Sequence, residues 1–275
     1  MKRSLGPQES LFFALMQMRG QRTVRTGELI GPMGITSQQE EELLRRLARG
    51  RLIARVRRGL YLIPSRLPVG GSWSPDEVLA LNTLIEDRGG RYQICGPNAF
   101  NRYGFDDQIP TRVYAYNDRI SGDRTIGSIS LTLIKVATKR LGAVEEVPTS
   151  ENIVAVYSSR TRTLIDAVYD WSRFNTLPRA YEWIRRELTA KRVKPRELVT
   201  LTLQYGDIGT IRRIAALLEI EGVEASSLRK LEAALPSSSS MIPWIPTQPK
   251  RGTVNSRWGV VLNERVEDRG TRDSR

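Results

Sequence analysis

Residues 36–64 read TSQQEEELLRRLARGRLIARVRRGLYLIP, and this stretch decides the fold of the N-terminal segment. Ser37 is followed three residues later by Glu40, which is the spacing of a helical capping box. The apolar residues that come next share one helix face, namely Leu43, Leu44 and Leu47. Gly50 ends this periodic pattern. The sequence therefore predicts a capped amphipathic helix that begins at Ser37 and ends just before Gly50.

Two apolar runs follow this helix and are separated by Arg57-Arg58-Gly59. Gly59 supplies the permissive backbone that a tight reversal of the chain requires. Strand alternation places Ala54 and Val56 on one face and Arg55 on the other. The pattern predicts a β-hairpin that carries positive charge at its tip.

The residues before position 36 complete a familiar order of elements. Helical spacing predicts a first helix over residues 8–19, then an extended piece at Thr23–Val24 and a short helix over residues 26–30. Gly31 and Pro32 are expected to break that short helix. A helix, a short helix, a capped helix and a two-stranded hairpin are the parts of a winged helix-turn-helix.

The charge of the chain is concentrated in this segment. The 275 residues carry a net charge of +13, and residues 1–66 alone hold 13 basic and 5 acidic side chains, a net charge of +8. A concentrated basic field favours a polyanionic partner such as nucleic acid. We therefore expect residues 1–66 to form a separate DNA-binding domain.

On this interpretation the capped helix reads the major groove and the hairpin wing contacts the DNA backbone. Glutamine side chains suit adenine and arginine side chains suit guanine, whereas cations at the wing suit phosphates. The predicted DNA-binding residues are Ser37, Gln38, Gln39, Arg45, Arg46, Arg49, Arg55, Arg57 and Arg58.

Several kinds of chemistry are excluded by composition. The chain contains no histidine, which removes catalytic triads and histidine-based zinc sites, and its one cysteine cannot build a structural zinc site. No phosphate-binding glycine loop is present. The adjacent carboxylates at Asp106-Asp107 and Glu145-Glu146 are more typical of solvated loops than of metal sites. We therefore expect no enzymatic activity, catalytic residue, metal or cofactor.

The remainder of the chain predicts an α+β protein. A proline- and glycine-containing linker at residues 64–73 separates the winged helix from a domain over residues 70–264. Mixed α/β structure is expected over residues 72–148, mostly helical structure over 150–264, and a flexible tail over 265–275. No apolar run approaches the roughly 20 residues that span a membrane. The single cysteine, Cys95, is typical of a reducing cytoplasm.

The sequence resembles the AbiEi family of antitoxins. The resemblance is spread over most of the chain, in five segments that occur in the family's order. They are ITSQQEEELLRRLARGRLIARVRRGLYLIP at Ile35–Pro64, GPNAFNRYGFDDQIPTRVYAY at Gly96–Tyr116, SSRTRTLIDAVYD at Ser158–Asp170, IRRIAALLEIEGV at Ile211–Val223 and RWGVVLN at Arg257–Asn263.

This resemblance implies an N-terminal winged helix-turn-helix that represses its own operon by binding promoter repeats. It also implies that the C-terminal domain counteracts a cognate nucleotidyltransferase-like toxin without forming a stable complex with it. The family's DNA-contacting role would fall on the helix from Ser37 to Arg49 and on the wing at Arg55, Arg57 and Arg58. No motif assigns individual antitoxic residues. Asp166 is the best polar candidate, and its simpler interpretation is an ion pair with Arg162 one helical turn earlier.

Two other interpretations stay open at the level of sequence. The chain could be a winged-helix transcription factor, unrelated to a toxin, whose C-terminal domain senses a small ligand. It could also be a nucleic-acid enzyme that uses carboxylates and magnesium.

Overall fold

The computed structural model describes residues 5–67, 72–149, 153–237 and 240–263. The N-terminal segment has the element order that was predicted. Its elements are α1 (Pro7–Met18), β1 (Thr23–Arg25), α2 (Ile30–Met33), α3 (Ser37–Arg49), β2 (Ala54–Arg57) and β3 (Leu60–Leu62). Strand β3 pairs antiparallel with both β1 and β2, which gives a three-stranded sheet. This is the arrangement of a winged helix-turn-helix.

Helix α3 begins at Ser37 as predicted, but its capping box differs from the expected one. The N-cap is Thr36 rather than Ser37, because the Thr36 hydroxyl accepts from the Gln39 amide at 3.3 Å and the Gln39 side chain accepts from the Thr36 amide at 2.8 Å. Glu40 has a different task. It is fully buried, and its carboxylate accepts hydrogen bonds from the backbone amides of Gly27 at 2.7 Å and Leu29 at 2.9 Å. Glu40 thus fixes the preceding turn against α3.

The short helix also lies later in the chain than predicted. Helix α2 covers Ile30–Met33, so the expected breakers Gly31 and Pro32 are inside it. A proline near the start of a helix removes only an amide that has no intrahelical partner. Gly34, in the left-handed conformation with φ 61°, ends the helix instead.

The next segment builds a mixed six-stranded sheet. Its elements are α4 (Glu77–Glu86), β4 (Tyr92–Ile94), α5 (Gly96–Arg102), β5 (Val113–Asn117), β6 (Gly122–Ile126), β7 (Ile129–Lys135), β8 (Val144–Pro148) and β9 (Val154–Ser158). The strand order is β6-β7-β5-β4-β9-β8. Strand β5 runs parallel to β7 and antiparallel to β4, and β4 runs parallel to β9. Strands β6 and β7 form an antiparallel hairpin.

The wing sheet shares a core with this second sheet. Ala54 and Val56 of β2 and Leu60 and Leu62 of β3 belong to one apolar cluster with α4 and strands β4 to β7. The helices of the winged segment pack around a second, separate apolar cluster, which contains Phe12, Leu44 and Leu47.

The domain division is therefore not the predicted one. One compact unit contains residues 1–101 and 108–157, and the other contains residues 102–107 and 158–275. The predicted boundary between 1–66 and 70–264 fails because the wing buries aliphatic side chains against residues 78–155. The predicted tail over 265–275 and the middle of the linker, residues 68–71, lie outside the described residues.

The second unit is mostly helical, as predicted for this part of the chain. Its helices are α6 (Arg160–Tyr169), α7 (Trp171–Phe174), α8 (Arg179–Thr189), α9 (Pro195–Tyr205), α10 (Ile208–Ile220) and α11 (Ala225–Ala233). Three short strands follow, namely β10 (Ile242–Pro243), β11 (Thr253–Asn255) and β12 (Val260–Leu262). Strand β12 lies between a parallel β10 and an antiparallel β11.

Candidate nucleic-acid interface

The outer face of helix α3 is polar and open to solvent. Leu43, Leu44 and Leu47 are buried against the winged segment's own core. The residues on the opposite side are all exposed, and they are Gln38, Glu42, Arg45 and Arg49. Ser37 and Gln39 are exposed at the start of the helix. The face is thus the one that a recognition helix presents to a DNA groove.

The acidic run Glu40-Glu41-Glu42 places only two of its three carboxylates at the surface of α3. Glu40 points away from the outer face, because its carboxylate accepts the two backbone hydrogen bonds described above. Only Glu41 and Glu42 are exposed. Either of them could accept a hydrogen bond from cytosine in a major groove.

Arg46 has a structural partner that the sequence did not indicate. It is half-buried, and its Nε donates to Oε1 of the buried Glu9 in α1 at 3.1 Å. The contact ties α1 to α3. Part of the Arg46 charge is therefore used within the fold, and its role as a DNA-binding residue stays a prediction.

The wing offers two exposed arginines rather than three. Arg55 and Arg58 are exposed, but Arg57 is half-buried. Its guanidinium donates through Nε and Nη2 to both carboxylate oxygens of Asp87, the second at 2.9 Å. Arg25 of β1 pairs with the same carboxylate at 2.7 Å. The expectation that Arg57 projects into solvent towards a phosphate is wrong, because Asp87 follows α4 and holds this arginine.

Asp87 anchors the wing electrostatically. Hydrogen bonds from Arg57, more than those from Arg25, lower the pKa of the Asp87 carboxyl to about 2, against the opposing effect of burial. A pKa below the unfolded value means that the ionised carboxylate stabilises the fold at neutral pH, by about 1–2 kcal/mol once solvent screening of the half-exposed arginines is allowed for. This contribution is lost as the pH falls from about 4 through 2.

The residues that sequence reasoning missed are Glu40 as a turn anchor and Asp87 as the wing's counter-ion. The signal for Glu40 was present, because it precedes Leu43, Leu44 and Leu47 by three, four and seven residues and so lies on the same buried face. Asp87 gave no local signal, since it lies 30 residues from Arg57 in the chain.

The second unit resolves the role of Asp166. Arg162 donates through Nε to Asp166 Oδ1 at 2.9 Å, and the two side chains are 0% and 1% exposed. The Arg162 guanidinium also lies 4.0 Å from the ring centre of Tyr205. Asp166 is thus the ion-pair partner of Arg162, as the simpler interpretation held. Asp106, from one of the carboxylate pairs, accepts from Arg179 at 2.9 Å.

Neither a membrane-spanning helix nor a metal-binding cluster of side chains is found among the described residues. None of the helices formed by these residues is both long and apolar enough to cross a bilayer. Within the same residues, no cluster of three or more histidine, cysteine, aspartate or glutamate side chains is arranged to hold a metal ion.

Comparison with known proteins gives a fold and no family. The structure is similar to that of the RV2827C protein from Mycobacterium tuberculosis, with a TM-score of 0.54 and 12% sequence identity. The match covers 94% of this chain and 92% of that chain. No protein-family model and no curated protein matches the sequence. The likeness therefore concerns the α+β architecture over nearly the whole length of both chains.

Proposed function

We propose that this protein is a DNA-binding antitoxin that represses its own operon. The observation that carries the DNA-binding part is the exposed polar face of α3, with Gln38, Arg45 and Arg49, next to a wing that exposes Arg55 and Arg58. No catalytic residue, metal or cofactor is assigned to it.

The chemistry of these side chains divides into two roles. In a major groove, Arg45 and Arg49 suit the O6 and N7 acceptors of guanine, and Gln38 suits the N7 and N6 groups of adenine. Arg55 and Arg58 lie on the wing, where phosphates are the nearest groups of a docked duplex. The α3 face would then carry sequence specificity, and the wing would carry affinity that depends on salt.

The antitoxin part of the proposal rests on the resemblance to the AbiEi family. In that family the C-terminal domain counteracts a nucleotidyltransferase-like toxin without forming a stable complex. We place the same role on the mostly helical second unit, and repression on promoter repeats on the first. Both activities belong to the cytoplasm, where the promoter DNA lies.

The two roles of the interface predict different mutant behaviour. Gln38→Ala or Arg45→Ala in the full chain should reduce the binding free energy for promoter DNA by about 1–3 kcal/mol, because a base contact is lost. The loss for a random duplex should be much smaller. Arg58→Ala should lower the affinity for both duplexes by similar factors, and it should reduce the slope of log affinity against log salt by about 1. Fluorescence anisotropy on both duplexes at several salt concentrations measures these quantities.

Arg185→Ala is the matched control, because Arg185 lies in the second unit and pairs with Glu221 at 2.9 Å. Its promoter affinity should equal that of the wild type. The assignment of α3 to base recognition fails if the Gln38 and Arg45 variants lose no discrimination between promoter and random DNA.

Toxin neutralisation should not require DNA binding. A full-length Arg45→Glu, Arg49→Glu variant should lose promoter affinity, because two cations of the α3 face become anions, yet it should still protect cells that express the toxin encoded beside it. Growth after induction of the toxin measures protection, with an empty vector as the unprotected control. Loss of protection by a variant that retains the wild-type melting temperature would contradict the separation of the two roles.

A further inference from the structure

A cationic groove extends from the two elements that a winged helix normally presents to DNA to a third one, the β6–β7 hairpin. It has a volume of about 740 Å³ and is formed by the C-terminal end of α3, strand β2, residues 72–74 and the β6–β7 hairpin. Its polar lining residues include Arg49, Arg51, Arg55, Ser74, Thr125 and Ser128.

The groove is built for an anion. Among the described residues that line it, three are arginines and none is acidic. The arginines Arg49, Arg51 and Arg55 are all exposed, so their charge is available to a ligand. Hydroxyl groups on the opposite wall come from Ser74, Thr125 and Ser128, and a hydroxyl can donate to a phosphate oxygen.

The two walls are joined by short contacts within one compact unit. The Trp73 amide donates to the Arg51 carbonyl at 2.6 Å, and the hydroxyls of Ser74 and Ser128 lie 2.6 Å apart. Gly127 has φ 63°, and a side chain there would meet Pro75 at 2.9 Å. The hairpin turn therefore sits close against residues 74–75, and the groove is held in shape before any ligand arrives.

The groove is continuous with the outer face of α3. Arg49 lines it and also lines the shallow depression on α3 that contains Glu42, Arg45 and Arg46. If α3 lies in the major groove of DNA, the phosphates at the edge of that major groove would pass from Arg49 towards Arg51 and Arg55 of the protein. A free small molecule would have no need of this continuity.

We propose that this groove holds the sugar-phosphate backbone of the bound duplex, so that the β6–β7 hairpin acts as a second wing. The inference rests on the proposed DNA-binding function and extends it to residues 72–128. The group that the groove would bind is a phosphate, which could belong to DNA or to a free nucleotide. The experiment below distinguishes these two sources.

Thr125 is the position at which to test the proposal, because it is exposed and lines the groove. In the full chain, Thr125→Lys should raise the affinity for promoter and random DNA by the same factor, roughly threefold to tenfold. It should also steepen the slope of log affinity against log salt, which we call the salt slope, by about 1. Thr125→Glu should weaken both duplexes to a similar extent and lower the slope, because it cancels part of the groove's positive charge.

Thr138→Lys and Thr138→Glu are the matched controls. Thr138 is also exposed, and it follows the far end of β7, at the opposite end of the strand from the hairpin turn. These variants should leave both affinities and the salt slope unchanged. Opposite effects of Lys and Glu at position 125, and none at position 138, are the expected result.

Two outcomes would overturn the proposal. The first is that the Thr125 variants bind DNA as the wild type does while the Arg45→Ala variant is impaired; the proposed function would then stand without a second wing. The second is that ATP, used as the probe for a free nucleotide, binds the wild type in calorimetry and loses affinity in Thr125→Glu while DNA binding does not change. If the wild type binds no DNA at all, the proposed function itself fails.

Discussion

A fragment of residues 1–66 should not fold cooperatively on its own, although the sequence suggests a self-contained winged helix. In the whole chain the wing buries Ala54, Val56, Leu60 and Leu62 against the second sheet. Cutting the chain at residue 66 would expose these side chains, at a cost on the order of 5 kcal/mol. A core within fewer than about 70 residues rarely supplies more than 3–5 kcal/mol, so little or no net stability would remain.

Circular dichroism during thermal unfolding measures this directly. We expect the 1–66 fragment to show a broad change without a sharp transition, and a fragment of residues 1–158, which retains the shared core, to unfold in one cooperative step. A sharp transition of the shorter fragment, at a temperature close to that of the longer one, would mean that the shared cluster contributes little to the winged segment.

Asp166→Ala should strongly destabilise the second unit. The Arg162–Asp166 pair is almost completely buried, with 0% and 1% exposure. Removing the carboxylate leaves a guanidinium charge in the core without its 2.9 Å counter-ion. Loss of one partner of a buried pair costs about 3–5 kcal/mol, and urea unfolding of the full chain measures this change in the free energy of unfolding.

Two comparisons show whether the charge is responsible. The double variant Arg162→Met, Asp166→Leu removes both charges at similar volume and should recover most of the lost stability. Glu221→Ala removes a carboxylate from the partly exposed pair with Arg185 and should cost at most about 1 kcal/mol. A double variant no more stable than Asp166→Ala would indicate that packing, rather than an uncompensated charge, dominates at this site.

The winged segment was predictable because its signals are local. The leucine stripe of α3 and the Arg57-Arg58-Gly59 turn each fall within a few residues, and both elements form where the pattern places them. The errors at the start of α3 are local as well. Thr36 and Gln39 satisfy the capping-box spacing as well as Ser37 and Glu40 do, and the burial of Glu40 decided between them.

The domain division could not be predicted, because it depends on contacts between distant residues. Val56 and Leu60 look like the inner face of an independent hairpin, and nothing nearby shows that α4 and β7 will cover them. Arg57 looks like a wing-tip cation until Asp87 is brought to it by the fold. The strand order, with β4 between β5 and β9, likewise follows from long-range pairing rather than from any single segment.

The candidate interface was predictable in part for the same reason. Gln38, Arg45 and Arg49 lie on the face opposite the leucines, as helical geometry requires, and Arg55 and Arg58 are exposed. Arg46 and Arg57 pair with Glu9 and Asp87, which lie 37 and 30 residues away. The groove beside the β6–β7 hairpin had no counterpart in the sequence pattern, since its walls come from residues 48–55 and 72–128.

The most direct test of the central claim, that the α3 face and the wing bind promoter DNA, is a titration of the full-length protein against two duplexes at several salt concentrations. One duplex is the DNA upstream of the protein's own gene, and the other is a shuffled sequence of the same composition. Near physiological salt, we expect the protein to bind the upstream DNA at least about 1000-fold more tightly than the shuffled duplex. The logarithm of both affinities should fall linearly with the logarithm of the salt concentration. Equal affinity for the two duplexes, or an affinity that does not change with salt, would contradict the account.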